Sequence, residues 1–371
     1  MSMHDALPAD VDWAGVRNVI ASRAANADRY DGDLGPDVDL LRSEGWLRAC
    51  LKRDDGGRGW GTEPGGAQAA LSALRILGRA NLSAARLFEG HMNAVKLVAL
   101  YGHPALRRNV AEDVRNGALL GVWGADEPDN PLGFSREMDT VRLTGAKRFA
   151  SGLGLVDYAV VSAPGLDGQP QLILAPVGDA PRADASGWRM AGMQATRSGR
   201  YDFHDLILAT GDLLGQPGDY LREPHFEGGV WRYCAAHLGG AEALYQEMLE
   251  ALSARGRTED SDQRRRIVAC ATALETARLW LTRCALEVEG PDAAESKATL
   301  SLLGREVVEN ACRTVIDQVD RALGMAAHEQ GSPIERIKRD LALFLCQAAP
   351  DAKRERAASV LVSSGRLVEG L

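Results

Sequence analysis

The 371-residue sequence predicts an α+β chain in three parts. These are a helical N-terminal domain over 1–118, a barrel-like middle β domain over 119–222 and an antiparallel helix bundle over 223–371. Three observations carry that expectation. Ala, Leu and Arg recur at three- and four-residue steps through 67–77 and 92–101, the period of helices with one buried face. Between Leu119 and Leu214 the text changes to short β-prone runs parted by Gly, Asp and Pro. Beyond Phe226 the helical period returns, and Ile267, Cys270, Leu274, Leu281, Cys284 and Val288 make one apolar stripe.

Taken in order, the N-terminal helices are broken by a loop at 31–36 and by a glycine-rich loop at 54–66, since Gly and Pro interrupt both helix and strand. In the middle, 158–162, 172–177 and 201–208 read as strands. Val141-Arg142-Leu143-Thr144 alternates apolar and polar side chains before Gly145, as a half-buried strand entering a turn does. In the last part, Leu303, Val307, Ala311 and Val315 give a second stripe, and Ile334, Ile337, Leu341 and Leu345 a third. Glu289-Gly290-Pro291 and Gly331-Ser332-Pro333 stop one helix and begin the next. A bundle of four or five long members commonly buries surface against copies of itself, so a homodimer or homotetramer is expected.

Composition excludes several classes. With 43 basic and 51 acidic residues the net charge is −8, and beyond Arg264-Arg265-Arg266 there is no basic cluster to hold nucleic acid. No run approaches the roughly 18 apolar residues of a membrane span, and MSMHDALPADVDW lacks the regions of a signal peptide. A cytoplasmic protein with no membrane partner is expected. Six cysteines without CxxC spacing read as reduced core residues, and seven histidines show no metal-type cluster, so no metal is expected.

Four stretches are more specific than the order of parts: GVWGADEP (121–128), LTGAKRFASG (143–152), GWRMAGMQATRSGRYDFHDLIL (187–208) and PIERIKRDL (333–341). Together they resemble the acyl-CoA dehydrogenase superfamily of flavoproteins over nearly the whole chain. The resemblance implies FAD, with its ring between the β domain and the bundle, flanked by Phe149 and hydrogen-bonded near its hydride-accepting nitrogen by Ser151. It places Trp123 against the ring's pyrimidine side and Asp126 where the family has Thr. Arg255, together with Arg257, would supply charge for the pyrophosphate. His91 and Arg232, on helices expected to face the flavin cavity, are the candidate substrate contacts.

The sequence also departs from the family. Asp129-Asn130-Pro131-Leu132-Gly133 replaces the Gly-Ser-Asp turn that contacts the thioester end of the substrate. The two places where the family carries its catalytic Glu fall on Ala348 and Val230, which leaves Glu227 as the fallback base. Asp320, Arg321 and Ala322 stand where a paired glycine lets a neighbouring subunit approach FAD, with Gly324 alone remaining.

The leading expectation is therefore an FAD-dependent dehydrogenase of acyl substrates, CoA-linked or otherwise, passing electrons to an electron-transfer flavoprotein. The alternatives are a flavin-dependent monooxygenase of the same fold, fed by a flavin reductase and needing no α-proton base, and an inactive homologue acting as a binding protein.

Overall fold

The computed structural model describes residues 8–29, 32–165 and 167–365. Residues 1–7 of the N-terminal stretch and Asp31 of the first loop lie outside the described residues. Among the described residues six α-helices come first: α1 (Trp13–Ala27), α2 (Gly35–Ser43), α3 (Trp46–Ala49), α4 (Ala67–Ala80), α5 (Leu82–Tyr101) and α6 (Pro104–Arg115). Asn81 starts α5 by accepting the Ser83 N–H at 2.9 Å, one of the donors a helix start leaves unpaired. Trp13, Trp46 and Trp60 pack with ring centroids 5.2–5.6 Å apart, closing the loop that carries Gly61 onto the helices.

Ten strands follow among the described residues: β1 (Leu120–Trp123), β2 (Gly133–Glu137), β3 (Thr140–Thr144), β4 (Ala146–Ala150), β5 (Tyr158–Pro164), β6 (Pro170–Pro176), β7 (Ala183–Asp184), β8 (Gly199–Asp202), β9 (Leu206–Ala209) and β10 (Leu213–Leu214). They form three small sheets, ordered β1-β5-β6-β10, β2-β3-β9 and β4-β8-β7. All the pairings are antiparallel except β1 with β5, which is parallel. On β3, Val141 and Leu143 are buried while Arg142 between them is not, and Gly145 turns the chain at φ +83°.

Five more helices follow among the described residues: α7 (Trp231–Ala254), α8 (Ser261–Val288), α9 (Lys297–Leu323), α10 (Pro333–Phe344) and α11 (Pro350–Ser364). The apolar stripes point inward, with Cys270, Leu274, Leu281, Cys284 and Val288 of α8 buried, as are Ala311 and Val315 of α9. Among the described residues no helix is long and apolar enough to cross a membrane.

Hydrogen bonds tie the β domain to the bundle around Gly192. The Asp340 carboxylate of α10 accepts the Met193 N–H at 2.6 Å, while Arg339 ion-pairs with Asp28 and donates to the Ala191 carbonyl at 2.6 Å. Between them Gly192 lies so close that a Cβ would sit 2.3 Å from the Arg339 carbonyl oxygen, so only glycine permits the contact.

Candidate functional site

A cavity of about 680 Å³ opens at the seam of the three parts. One wall is the β domain: Val122, Gly124 and Ala125, Phe149 and Ser151, and Trp188, Met193, Thr196 and Ser198. Facing it are α5, the start of α7 and the segment joining α10 to α11.

Strand β4 explains how Phe149 reaches the cavity. Its pairing with β8 shifts register between Lys147 and Ala150, and Phe149 sits at φ +55°, a left-handed conformation uncommon for an aromatic residue. The irregularity turns Arg148 and Phe149 outward in succession while Lys147 stays buried. The Phe149 ring is consequently 44% exposed, edge-on to Trp188 at 6.2 Å with the Arg148 guanidinium 4.8 Å above it. Beside it three hydroxyls form a chain. Thr196 donates to the Met193 carbonyl at 2.8 Å, and Ser198 lies 2.9 Å from Thr196 and 3.0 Å from Ser151.

Strand alternation decides the fate of Trp123. Val122 and Gly124 face the cavity, so the Trp123 ring points the other way, packing on Tyr201 at 5.5 Å and donating its indole N–H to the Ser151 carbonyl at 3.1 Å. Asp126 also turns aside. It accepts the Leu132 N–H at 3.0 Å and ion-pairs at 2.7 Å with Lys147, whose ammonium also bonds the Gly124 and Ser162 carbonyls. The pair braces the loop from below. These two residues act on the cavity wall from behind it.

Helix α5 contributes a polar stripe, Arg86, Glu89, Asn93 and Lys96, spaced by three, four and three residues. Glu89 is held by Arg86 and by the Asn93 amide. Lys96 reaches Glu289 at 2.8 Å. Glu289 is the residue just past α8, and it also accepts from the Trp231 indole at 3.3 Å and pairs with Arg232. Arg232 further donates to the Gly61 carbonyl at 3.1 Å. Burial pushes the Glu289 carboxyl up, but Arg232 and Lys96 outweigh it and hold the group below the usual carboxylate range. Burial lowers Lys96, against the pull of Glu289.

The remaining sequence candidates lie elsewhere. His91 is fully buried in α5, donating from Nε2 to the Leu47 carbonyl and accepting the Leu120 N–H at Nδ1, each at 3.0 Å. Burial lowers its pKa to about 4, so it is a neutral staple between helices and sheet. Arg255 is exposed at the C-terminal end of α7, about 35 Å along that helix from the end that lines the cavity. Arg257 pairs with Asp260 at 2.9 Å. Glu227 does not line the cavity, and its carboxylate accepts from Lys353 at 2.8 Å. Asp320 is occupied by Lys338 and lies 3.2 Å from His328. Phe149, Ser151 and Arg232 do line the cavity, and so do Val230 and Ala348, the two places counted for a catalytic base. Among the described residues, Glu89 is the one carboxylate on its wall.

Residues 232–346 match the family described as acyl-CoA dehydrogenase, C-terminal domain. The fold matches FMN-bound TdsC, a dibenzothiophene monooxygenase from Paenibacillus sp. A11-2. The TM-score is 0.85 at 19% identity, covering 96% of this chain and 98% of that one. Residues 232–346 thus resemble the C-terminal domain of acyl-CoA dehydrogenases, and the whole chain has the acyl-CoA dehydrogenase-like fold.

Two relatives by sequence differ from each other in chemistry. A dibenzothiophene monooxygenase from Rhodococcus erythropolis is 25% identical over 228 residues, covering 57% of this chain and 54% of that protein. The match thus spans about half the length of that relative. A 3-sulfinopropanoyl-CoA desulfinase from Variovorax paradoxus is 24% identical over 351 residues, 87% of this chain and 85% of that one. The flavin named with TdsC is FMN.

Proposed function

We propose that the protein is a flavin-dependent monooxygenase that takes reduced FMN from a flavin reductase and uses O₂. One observation carries the reading: Val230 and Ala348 both face the cavity, and the single wall carboxylate, Glu89, is held by Arg86 and Asn93. A dehydrogenase needs a free carboxylate to take the α-proton, and losing a positioned base lowers a rate by about 10² to 10⁴. Oxygen transfer has no such need. The monooxygenases among the relatives support the same reading over the acyl-CoA dehydrogenation expected first.

The cavity suits an isoalloxazine ring. Phe149 offers an exposed flat face, Gly124 presents bare backbone with nothing within 4 Å of a Cβ position, and Ser151 and Ser198 offer hydroxyls. When bound and reduced, the flavin supplies the electrons that activate O₂. The protein's share is to hold the ring against Phe149 and Trp188, to hydrogen-bond its polar edge through Ser151, and to exclude water with Val122, Met193 and Val230. FMN replaces the FAD expected from the sequence: the related TdsC carries FMN, and Asp320 is committed to Lys338 in the segment expected to approach a dinucleotide. A flavin reductase replaces the electron-transfer flavoprotein as protein partner, and a homo-oligomer remains the expected assembly.

The test supplies the chain with FMN, NADH and a flavin reductase, and follows substrate-dependent O₂ uptake and ¹⁸O incorporation over aromatic heterocycles and small sulfur compounds. Incorporation of ¹⁸O is the expected result. Anaerobic bleaching of the bound flavin by an acyl-CoA would restore the dehydrogenase reading.

A further inference from the structure

Four largely buried cations line the cavity: Arg86, Lys96, Arg232 and Lys353. Arg86 has Glu89 to itself within the cavity, and Lys353 has Glu227. Lys96 and Arg232 differ, because both turn to one carboxylate, Glu289, which is 3% exposed and does not line the cavity. One positive charge is thus left over at this end, and the field of Lys52 has the same sign. Removing a charge from water without a counter-charge is expensive, so a fold that retains such an imbalance at a cavity wall is built to be completed by an anion. Two further groups wait there. Arg232 Nε is buried without a hydrogen-bond partner, and so is His225 Nδ1, on a ring that also lines the cavity.

We propose that the end of the cavity walled by Lys96, Arg232 and His225 binds a negatively charged group of the substrate, so that the enzyme takes small organic anions, carboxylates or sulfur oxyacids. This rests on reading the cavity as the substrate site. The Arg232 guanidinium and the Lys96 ammonium would receive the anion's oxygens in charge-assisted hydrogen bonds. The apolar middle, Leu97, Val230 and Phe226, would hold the carbon skeleton between that anchor and the Phe149 wall. The same charge could instead receive the phosphate of FMN, and the experiment separates the two.

Full-length flavin-free protein is titrated by calorimetry with two isosteric pairs, benzoate against benzamide and benzenesulfonate against benzenesulfonamide. The anion of each pair is expected to bind about tenfold tighter, the worth of one charged hydrogen bond. Lys96→Met, which leaves Arg232 and Glu289 as a balanced pair, should bring the two within about threefold, and Lys96→Arg should keep the preference. Equal binding by the wild-type chain overturns the proposal, whatever the variants do, and so does a preference that survives Lys96→Met. A third arm compares FMN with riboflavin. Loss of the FMN preference in Lys96→Met, with benzoate unaffected, would assign the charge to the flavin phosphate and also overturn the proposal. No turnover is needed, so a failure to consume O₂ bears on the proposed reaction alone.

Discussion

Glu289→Gln is the most informative single change in the buried ion network. Glutamine keeps the volume of the side chain, so no cavity opens, yet Lys96 and Arg232 lose their shared counter-charge at a site where all three are nearly inaccessible. Removing one partner of a buried pair typically lowers stability by about 3–5 kcal/mol, and here two cations are abandoned at once. Against a total of about 5–15 kcal/mol this is a large fraction. Urea unfolding followed by tryptophan fluorescence should show the midpoint falling by about 1 M or more, taking a slope of about 3 kcal/mol/M. Adding Lys96→Met removes one of the stranded cations and should recover more than half of the loss. The pH sign is fixed too. The folded Glu289 lies below its unfolded value of about 4.3, so its contribution is present above that pH and is lost as pH falls through the folded value. The gap between wild type and variant should therefore narrow in acid. An unfolding free energy within about 0.5 kcal/mol of wild type at neutral pH would refute the account of a carboxylate shared between two buried cations.

Phe149→Ala should weaken FMN binding by about tenfold in a fluorescence titration while leaving stability almost unchanged, because the ring is exposed to the cavity and supports no core. Asp126→Asn should lower stability by about 1–2 kcal/mol through Lys147, with FMN affinity held within about threefold. Imidazole NMR should find His91 neutral down to about pH 4 and His237 to about 3, both lowered by burial. Their folded values lie below the unfolded one, so their contributions are full above about pH 6.5 and fade as pH falls. Asp37 and Asp340, raised by burial to about 6, run in the opposite sense. His91→Phe should cost about 2–4 kcal/mol by orphaning the Leu47 carbonyl and the Leu120 N–H.

The β domain shows where sequence reasoning stops. Motif position brings Trp123 and Phe149 forward equally as ring neighbours. Alternation along β1 sends Trp123 into the core, while a register shift in β4 sends Phe149 into the cavity. A shift of this kind depends on pairing with β8, some fifty residues away, and leaves no local mark. The α5 stripe did carry a signal: Arg86, Glu89, Asn93 and Lys96 are polar at helical spacing within an otherwise apolar helix, a pattern that a search for buried polar faces would find. Glu289 offered none. It reads as the polar residue of a helix stop, and its role exists only because the end of α8 abuts the start of α7.

The order of helical, β and helical parts, the apolar stripes of the bundle, and the side chains at the two places where a dehydrogenase keeps its base were all written in the sequence, since periodicity and residue identity are local properties. Which face each strand turned, which carboxylate met which cation, and the unequal sharing of Glu289 between Lys96 and Arg232 were decided by tertiary structure alone. Charge balance at a buried wall is a sum over residues that only folding brings within reach of one another.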